Sequence, residues 1–249
     1  MGLKISKKRF TFTAALALLI VSGFLYAQAQ ERKFVQGVAV DAKTNKIAYY
    51  ENHNEVYKDG SHIYSNVFYK SATGDLISKK YISFTKSRIA PDYIKNNVVT
   101  GGFESSTNLG NGKFLFKNQD SKEDSLEQKV VQISGTTVVD GGFDFFVRDN
   151  WQELMSGKKM IVNFAIPARL DYYSFRIYKS ATSTHRGRPC AVITVDINSA
   201  VLRLVADGLT IKYDLETKRL LNYKGVSNIA SNSGKNYVAD ISFDPKYYK

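Results

Sequence analysis

Apolar and polar residues change places at every second position over much of this chain. Met160, Val162, Phe164 and Ile166 form one row, with Ile161, Asn163 and Ala165 between them. Tyr173, Phe175 and Ile177 are interleaved with Ser174, Arg176 and Tyr178, and Leu209, Ile211, Tyr213 and Leu215 with Thr210, Lys212 and Asp214. Tyr237, Ala239, Ile241 and Phe243 alternate in the same way with Val238, Asp240 and Ser242. Successive side chains of a strand point to opposite faces of its sheet, so a period of two predicts strands with one face turned inward. The 16 tyrosines and 15 phenylalanines support that reading, because aromatic side chains pack well on a pleated surface.

Turn chemistry separates the rows. Lys58-Asp59-Gly60 is expected to close a hairpin between strands around Tyr49 and Val67, and Asn111-Gly112 another ahead of Phe114-Leu115-Phe116. Asp41 to Ile47 and Asp214 to Leu220 share one spacing of aspartate, threonine, base and aliphatic residue, and each reaches a tyrosine three residues later, Tyr50 and Tyr223. Ala72-Thr73-Gly74-Asp75-Leu76 is a looser copy. These are hairpin turns in which the aspartate caps its own turn, too short and irregular for solenoid repeats.

Two segments depart from the β pattern. Phe143, Phe146, Val147, Trp151 and Leu154 fall at helical spacing with Gly157 as the stop, which predicts an amphipathic helix of about three turns. A shorter helix is expected over Ser199 to Val205, where Val201, Leu202 and Val205 share a face. An apolar helix face needs a partner, and a concave sheet supplies one. The expected fold is therefore mainly β (α+β): a curved antiparallel sheet or incomplete β-barrel with one main amphipathic helix packed on it. No Pro-rich or Ser/Gly-rich linker divides residues 30–249, which read as a single β-rich domain.

Residues 1–29 have a different character. Lys4, Lys7, Lys8 and Arg9 precede an uncharged run from Phe10 to Tyr26, and Ala27-Gln28-Ala29 follows with the small-x-small spacing of a signal-peptidase site. This is a cleavable secretory signal, with cleavage after Ala29 and Gln30 as the new N-terminus. The competing reading is a retained anchor, but the run of about 17 residues is at the lower edge for spanning a bilayer. The expected location is the periplasm. Lipoprotein processing is excluded, because Cys190 is the single cysteine and lies far from the signal. One cysteine also rules out an internal disulfide, and about 220 residues can bury a core without one.

Charge narrows the partners. The sequence holds 35 Lys and Arg against 23 Asp and Glu; without the four cations of the signal, 31 against 23 leaves +8. That excess suits lipid headgroups or another anionic envelope component. Export and the lack of a basic-aromatic recognition motif argue against nucleic acid.

Candidate chemistry is sparse. His53 and His62 flank the Lys58-Asp59-Gly60 turn, but no cysteine joins them, and the nearby Glu51 and Glu55 read as surface residues, so no metal site is assigned. No G-x-S-x-G nucleophile elbow is present. His185 and Cys190 lie either side of a turn at Arg186-Gly187-Arg188-Pro189 with nothing to orient them, and Cys190 reads as a buried structural thiol. Asp140, Asp144 and Asp149 accompany the predicted helix, the first two at its start, where acids offset the backbone dipole. Gly101-Gly102 and Gly110-Asn111-Gly112-Lys113 lack the strand-to-helix context of a phosphate loop. No catalytic residue and no cofactor are assigned. Ligand contacts are expected at the corner Pro167-Ala168-Arg169-Leu170-Asp171 and the strand after it. Arg169, Asp171, Tyr172 and Arg176 are the candidates there, with Trp151 from the helix. Arg176 either holds an anionic group inside a cavity or pairs with an acid on the outer face.

Three stretches carry a family resemblance: Gly141-Gly142-Phe143-Asp144-Phe145-Phe146-Val147, Pro167 to Asp171, and Tyr213-Asp214 through Arg219-Leu220-Leu221 to Gly225-Val226-Ser227-Asn228-Ile229. From Phe34 to about Phe243 the chain resembles a family of uncharacterised exported proteins of Gram-negative bacteria that has no assigned activity. The resemblance implies compartment and one-domain organisation. The expected helix-on-sheet arrangement is also similar to periplasmic lipoprotein carriers and lipocalin-like barrels, a likeness of fold that does not fix function. The expectation is a non-enzymatic envelope protein that binds a lipid or other amphipathic ligand in its curved sheet. One alternative is a structural or partner-binding protein without a cavity. The other is a periplasmic hydrolase working through Asp144 or Asp171, which requires carboxylates or histidines to converge in one cleft.

Overall fold

The short turn motifs set the path of the chain in the computed structural model, which describes residues 30–199, 208–231 and 234–248. Asp59 and Gly60 have φ of 51° and 73°, Asn111 and Gly112 51° and 72°, and Arg186 and Gly187 49° and 78°. Two successive positive φ values are what a two-residue hairpin with the strands' own twist requires. In the aspartate turns, Asp41 Oδ1 accepts from Lys43 N at 3.1 Å, and Asp214 Oδ1 from Glu216 N at 2.9 Å and Thr217 N at 2.8 Å. In the looser copy Ser71 Oγ plays that part, accepting from Thr73 N and Asp75 N.

These turns connect strands β1 (Glu31–Asp41), β2 (Ile47–Lys58), β3 (Ser61–Ser71), β4 (Leu76–Ser83), β5 (Asp92–Asn97), β6 (Phe103–Gly110), β7 (Lys113–Gln119) and β8 (Glu127–Gln132). After β9 (Thr137–Val138) come helices α1 (Gly142–Asp149) and α2 (Trp151–Met155). The chain then runs through β10 (Met160–Ile166), a 3₁₀ corner at Pro167–Arg169, β11 (Asp171–His185), β12 (Arg188–Ile197), β13 (Leu209–Asp214), β14 (Leu220–Ala230) and β15 (Asn236–Phe243). The predicted helix over Ser199 to Val205 lies, except for its first residue, outside the described residues.

All fifteen strands belong to one sheet, in the order β8-β7-β6-β5-β4-β3-β2-β1-β15-β14-β13-β12-β11-β10-β9. The first strand is therefore central. Two meanders leave it in opposite directions, joined where Gly37 to Asp41 pair with Phe243 to Ala239. Every ladder is antiparallel except β9 on β10. The sheet curves so that the segment leaving β8 runs back along β10: Asn163 N donates to Thr136 O, and Asn163 Nδ2 to Ser134 O. The expected curved sheet or incomplete barrel is the observed architecture.

The helical segment packs on the concave face. Phe146, Val147, Trp151 and Leu154 join Val138, Val162, Ile177, Ile193 and Tyr213 in one core cluster, while Phe145 joins the cluster of the other arm with Ile82, Phe84 and Tyr93. The expected continuous helix is divided at Asn150, whose side-chain Nδ2 donates to Phe146 O at 2.8 Å beside its own backbone N–H at 3.1 Å. Gly157, with φ of 88°, ends the segment as expected. No helix among the described residues is long and apolar enough to cross a membrane.

Candidate functional site: a cavity with one apolar and one charged wall

On β2 the residues Tyr49, Glu51, His53, Glu55 and Tyr57 occupy alternate positions, and Tyr49 and Tyr57 are buried. The pleat therefore carries Glu51, His53 and Glu55 to the concave face as well, where they line a cavity of about 590 Å³. An apolar wall is built by Phe143 of α1, Phe164 of β10, Val195 of β12, Leu209 and Ile211 of β13, and Ile241 of β15. Most of the charge comes from β2 to β6 and from α1 with its entry, and Arg219 is added from the β13–β14 turn. Glu51, Glu55, Glu104, Asp140 and Asp144 line the cavity together with Lys80, Lys95, Arg148 and Arg219.

Most of these charges are paired. Lys80 Nζ donates to both oxygens of Asp140, at 2.8 and 2.9 Å, and tethers β4 to the entry of α1. Burial works against the charge of both partners, but their mutual attraction wins: the Lys80 ammonium is held above its usual range and the Asp140 carboxyl below. Lys95 Nζ donates to Asn228 O at 2.7 Å and lies 3.5 Å from Glu104 Oε1, which also accepts from Tyr93 OH. Arg148 and Asp144 form an (i, i+4) pair at 2.5 Å on α1. Burial still pushes the Asp144 carboxyl up despite Arg148, and its Oδ1 is buried with no hydrogen-bond partner among the described residues.

The histidines take different surroundings. His62 donates or accepts at Ser65 Oγ, 2.8 Å away, and stacks on Tyr57 with ring centroids 4.7 Å apart. Burial lowers its pKa, so the ring is neutral at pH 7. His53 Nε2 lies 3.2 Å from Glu51 Oε2. His53 and His62 do not face each other across the hairpin, because His53 pairs with Val67 and His62 with Tyr57. No group of three His, Cys, Asp or Glu among the described residues is arranged to hold a metal ion. Cys190 is buried across from Ser183, whereas His185 faces Arg188.

The five residues expected to touch a ligand lie elsewhere. Arg176 points outward, because its neighbour Ile177 is the inward position of β11, and it makes a bidentate pair with Asp196 at 2.7 Å on both arms. Of the two alternatives for Arg176, the outer-face pair is the observed one. Arg169 is exposed on the 3₁₀ corner, and Asp171 Oδ1 accepts from Tyr172 N at 2.9 Å. Tyr172 packs, half-buried, against the first core cluster. Trp151 is core, edge-on to Tyr213 with Lys218 Nζ 6.0 Å above its ring. Pro167 and Ala168 of the same corner do reach the cavity.

Glu51 and Glu55, by contrast, are not the surface residues they were expected to be. A signal for them exists in the sequence: two acids and a histidine at alternate positions between two tyrosines share whichever face the tyrosines take. Asp140 and Asp144, expected at the helix start to offset its dipole, line the cavity, while Asp149 pairs with Arg88 at 3.4 Å on the surface.

No family model matches the chain. No curated protein matches it either. Among solved structures the chain is similar to a beta-barrel-like protein from Brucella abortus, described as a domain of unknown function, DUF1849. The TM-score is 0.50 and the sequence identity 7%, over 87% of this chain and 95% of that chain. The likeness concerns the fold, and agrees with the expected curved sheet or incomplete β-barrel.

Proposed function

We propose that this chain is a non-enzymatic, exported envelope protein that holds an amphipathic ligand, such as a lipid, against the concave face of its sheet. One observation carries the reading: a cavity of about 590 Å³ is lined by an apolar set of residues, mainly from β10, β12, β13 and β15, and a charged set, mainly from β2 to β6 and α1. That volume suits a small ligand, and the two sets suit a molecule with an apolar body and a polar end. The N-terminal signal supports export, and the net positive charge of residues 30–249 supports contact with anionic envelope surfaces.

The test is native mass spectrometry of the protein purified from the periplasm, with lipid extraction alongside. A ligand retained at one per chain is the expected result. A bare polypeptide mass under gentle conditions, together with no uptake of added amphiphiles, would remove the reading and turn the search to a protein partner.

A further inference from the structure

Fixed charge differs between the inside and the outside of the shell. Residues 30–249 carry 31 Lys and Arg against 23 Asp and Glu, yet the cavity is lined by five carboxylates and four cations. Asp140, Asp144 and Glu104 each have a cation of their own, in Lys80, Arg148 and Lys95. Glu55 accepts the Tyr57 hydroxyl at 2.6 Å and feels the charge of Arg219. Glu51 has His53 as its side-chain partner among the described residues, although only 8% of its surface is exposed. A carboxylate so deeply placed ordinarily has a cation or several donors.

Aromatic rings frame this acid. Tyr69 stands directly across the β2–β3 ladder from Glu51. On the other side the neighbour is Gly37, which in turn faces Phe243. A Cβ at Gly37 would lie 2.7 Å from Phe243 Cε1, so the missing side chain lets the Phe243 ring lean over β1 toward β2. There its centroid is 6.0 Å from that of His53. Tyr223 completes this part of the wall, and the Glu51 charge adds to burial in raising its hydroxyl pKa.

The same wall already shows what such a combination holds. Lys80 Nζ lies 2.8 Å from Asp140 and 5.5 Å from the ring centre of Tyr69, a cation between a carboxylate and an aromatic face. At Glu51 the carboxylate and the rings recur with His53 in place of the lysine. We propose that Glu51, framed by Tyr69, Phe243 and Tyr223, receives the protonated or quaternary amine of an amphipathic ligand whose apolar part lies along Phe143, Leu209 and Ile211. This deepens the ligand-binding reading and rests on it.

Amphiphiles of one chain length separate the two. Dodecylamine, dodecyltrimethylammonium, dodecanol and dodecanoate would each be titrated at pH 7 against an apolar fluorescent probe bound to the chain of residues 30–249. The two cations are expected to bind roughly tenfold tighter than dodecanol, with dodecanoate weakest. Glu51→Gln keeps the side-chain shape and is expected to bring the two cations down to the affinity of dodecanol. Should that variant not fold, the ranking of the four compounds on the unaltered protein is itself decisive. Equal binding of all four overturns the amine assignment and leaves the cavity reading standing, and a preference for dodecanoate overturns it in favour of an anionic end. Binding of none removes the cavity reading together with the amine.

Discussion

Asp214 shows how one buried carboxylate supports a turn and a strand pair together. Its Oδ1 caps the β13–β14 turn through Glu216 N and Thr217 N, while Oδ2 accepts from Arg188 Nε of β12. The Arg188 hydrogen bond, opposed by burial and helped by the two backbone donors, holds the Asp214 pKa down to about 2. A folded value below the unfolded one gives stability that is complete above the unfolded pKa and is lost as pH falls through the folded one, here between about pH 4 and pH 2. The contribution is at most about 2 kcal/mol, and less in practice because Arg188 is partly exposed to solvent and salt. Urea unfolding at pH 5 and pH 2.5 should therefore show a smaller acid loss for Asp214→Asn than for the unaltered protein. Equal losses would place the acid sensitivity in other carboxylates. The turn role of Asp214 is legible from its spacing to Thr217. The pairing with Arg188 is not, because it depends on Cys190 lying opposite Asp214 across the β12–β13 ladder.

The helical segment was the most legible element and also the one whose surroundings changed most. Of the stripe that periodicity predicts, Phe146, Val147, Trp151 and Leu154 are buried, and Phe143 is half-buried at the cavity. Phe145 lies outside that stripe yet is only 5% exposed, with Arg88 and Arg148 4.5 and 4.7 Å from its ring centre. A helix enclosed by a curved sheet is covered on more than one side, which a single amphipathic face does not describe. Its entry is tight. A Cβ at Gly142 would lie 2.1 Å from Ile89 O and 2.8 Å from Pro91 Cδ, so the main chain before β5 approaches α1 too closely for any side chain. Gly142→Ala is expected to destabilise the fold by about 1–3 kcal/mol, since backbone and a proline ring must move to admit the methyl group. Gly157→Asn is the control: its φ of 88° is left-handed but nothing lies within 4 Å, and asparagine tolerates that conformation at a cost below about 1 kcal/mol. Urea midpoints of the two variants decide this. A Gly142→Ala protein as stable as the unaltered one would show that the helix entry shifts freely.

For the whole molecule, the inward rows and turns were readable because both are local patterns. Which residues the curvature gathers around the cavity was not, because that is set by how fourteen registers accumulate along one sheet. Arg176 on the outside of β11 and Glu51 on the inside of β2 therefore take faces that the local pattern does not assign. Glu31 is the first residue of β1, and it already pairs with Tyr57 on β2. Cleavage after Ala29 would release a chain whose second residue enters the ladder. It would also remove Lys4, Lys7, Lys8 and Arg9 and the uncharged run that follows them. The expected outcome of expression in a Gram-negative host is thus a periplasmic protein whose intact mass and N-terminal sequence correspond to residues 30–249, starting at Gln30. A membrane-bound product of the full 249-residue mass would instead make the N-terminal run an anchor, and would hold the cavity at the membrane surface rather than free in the periplasm.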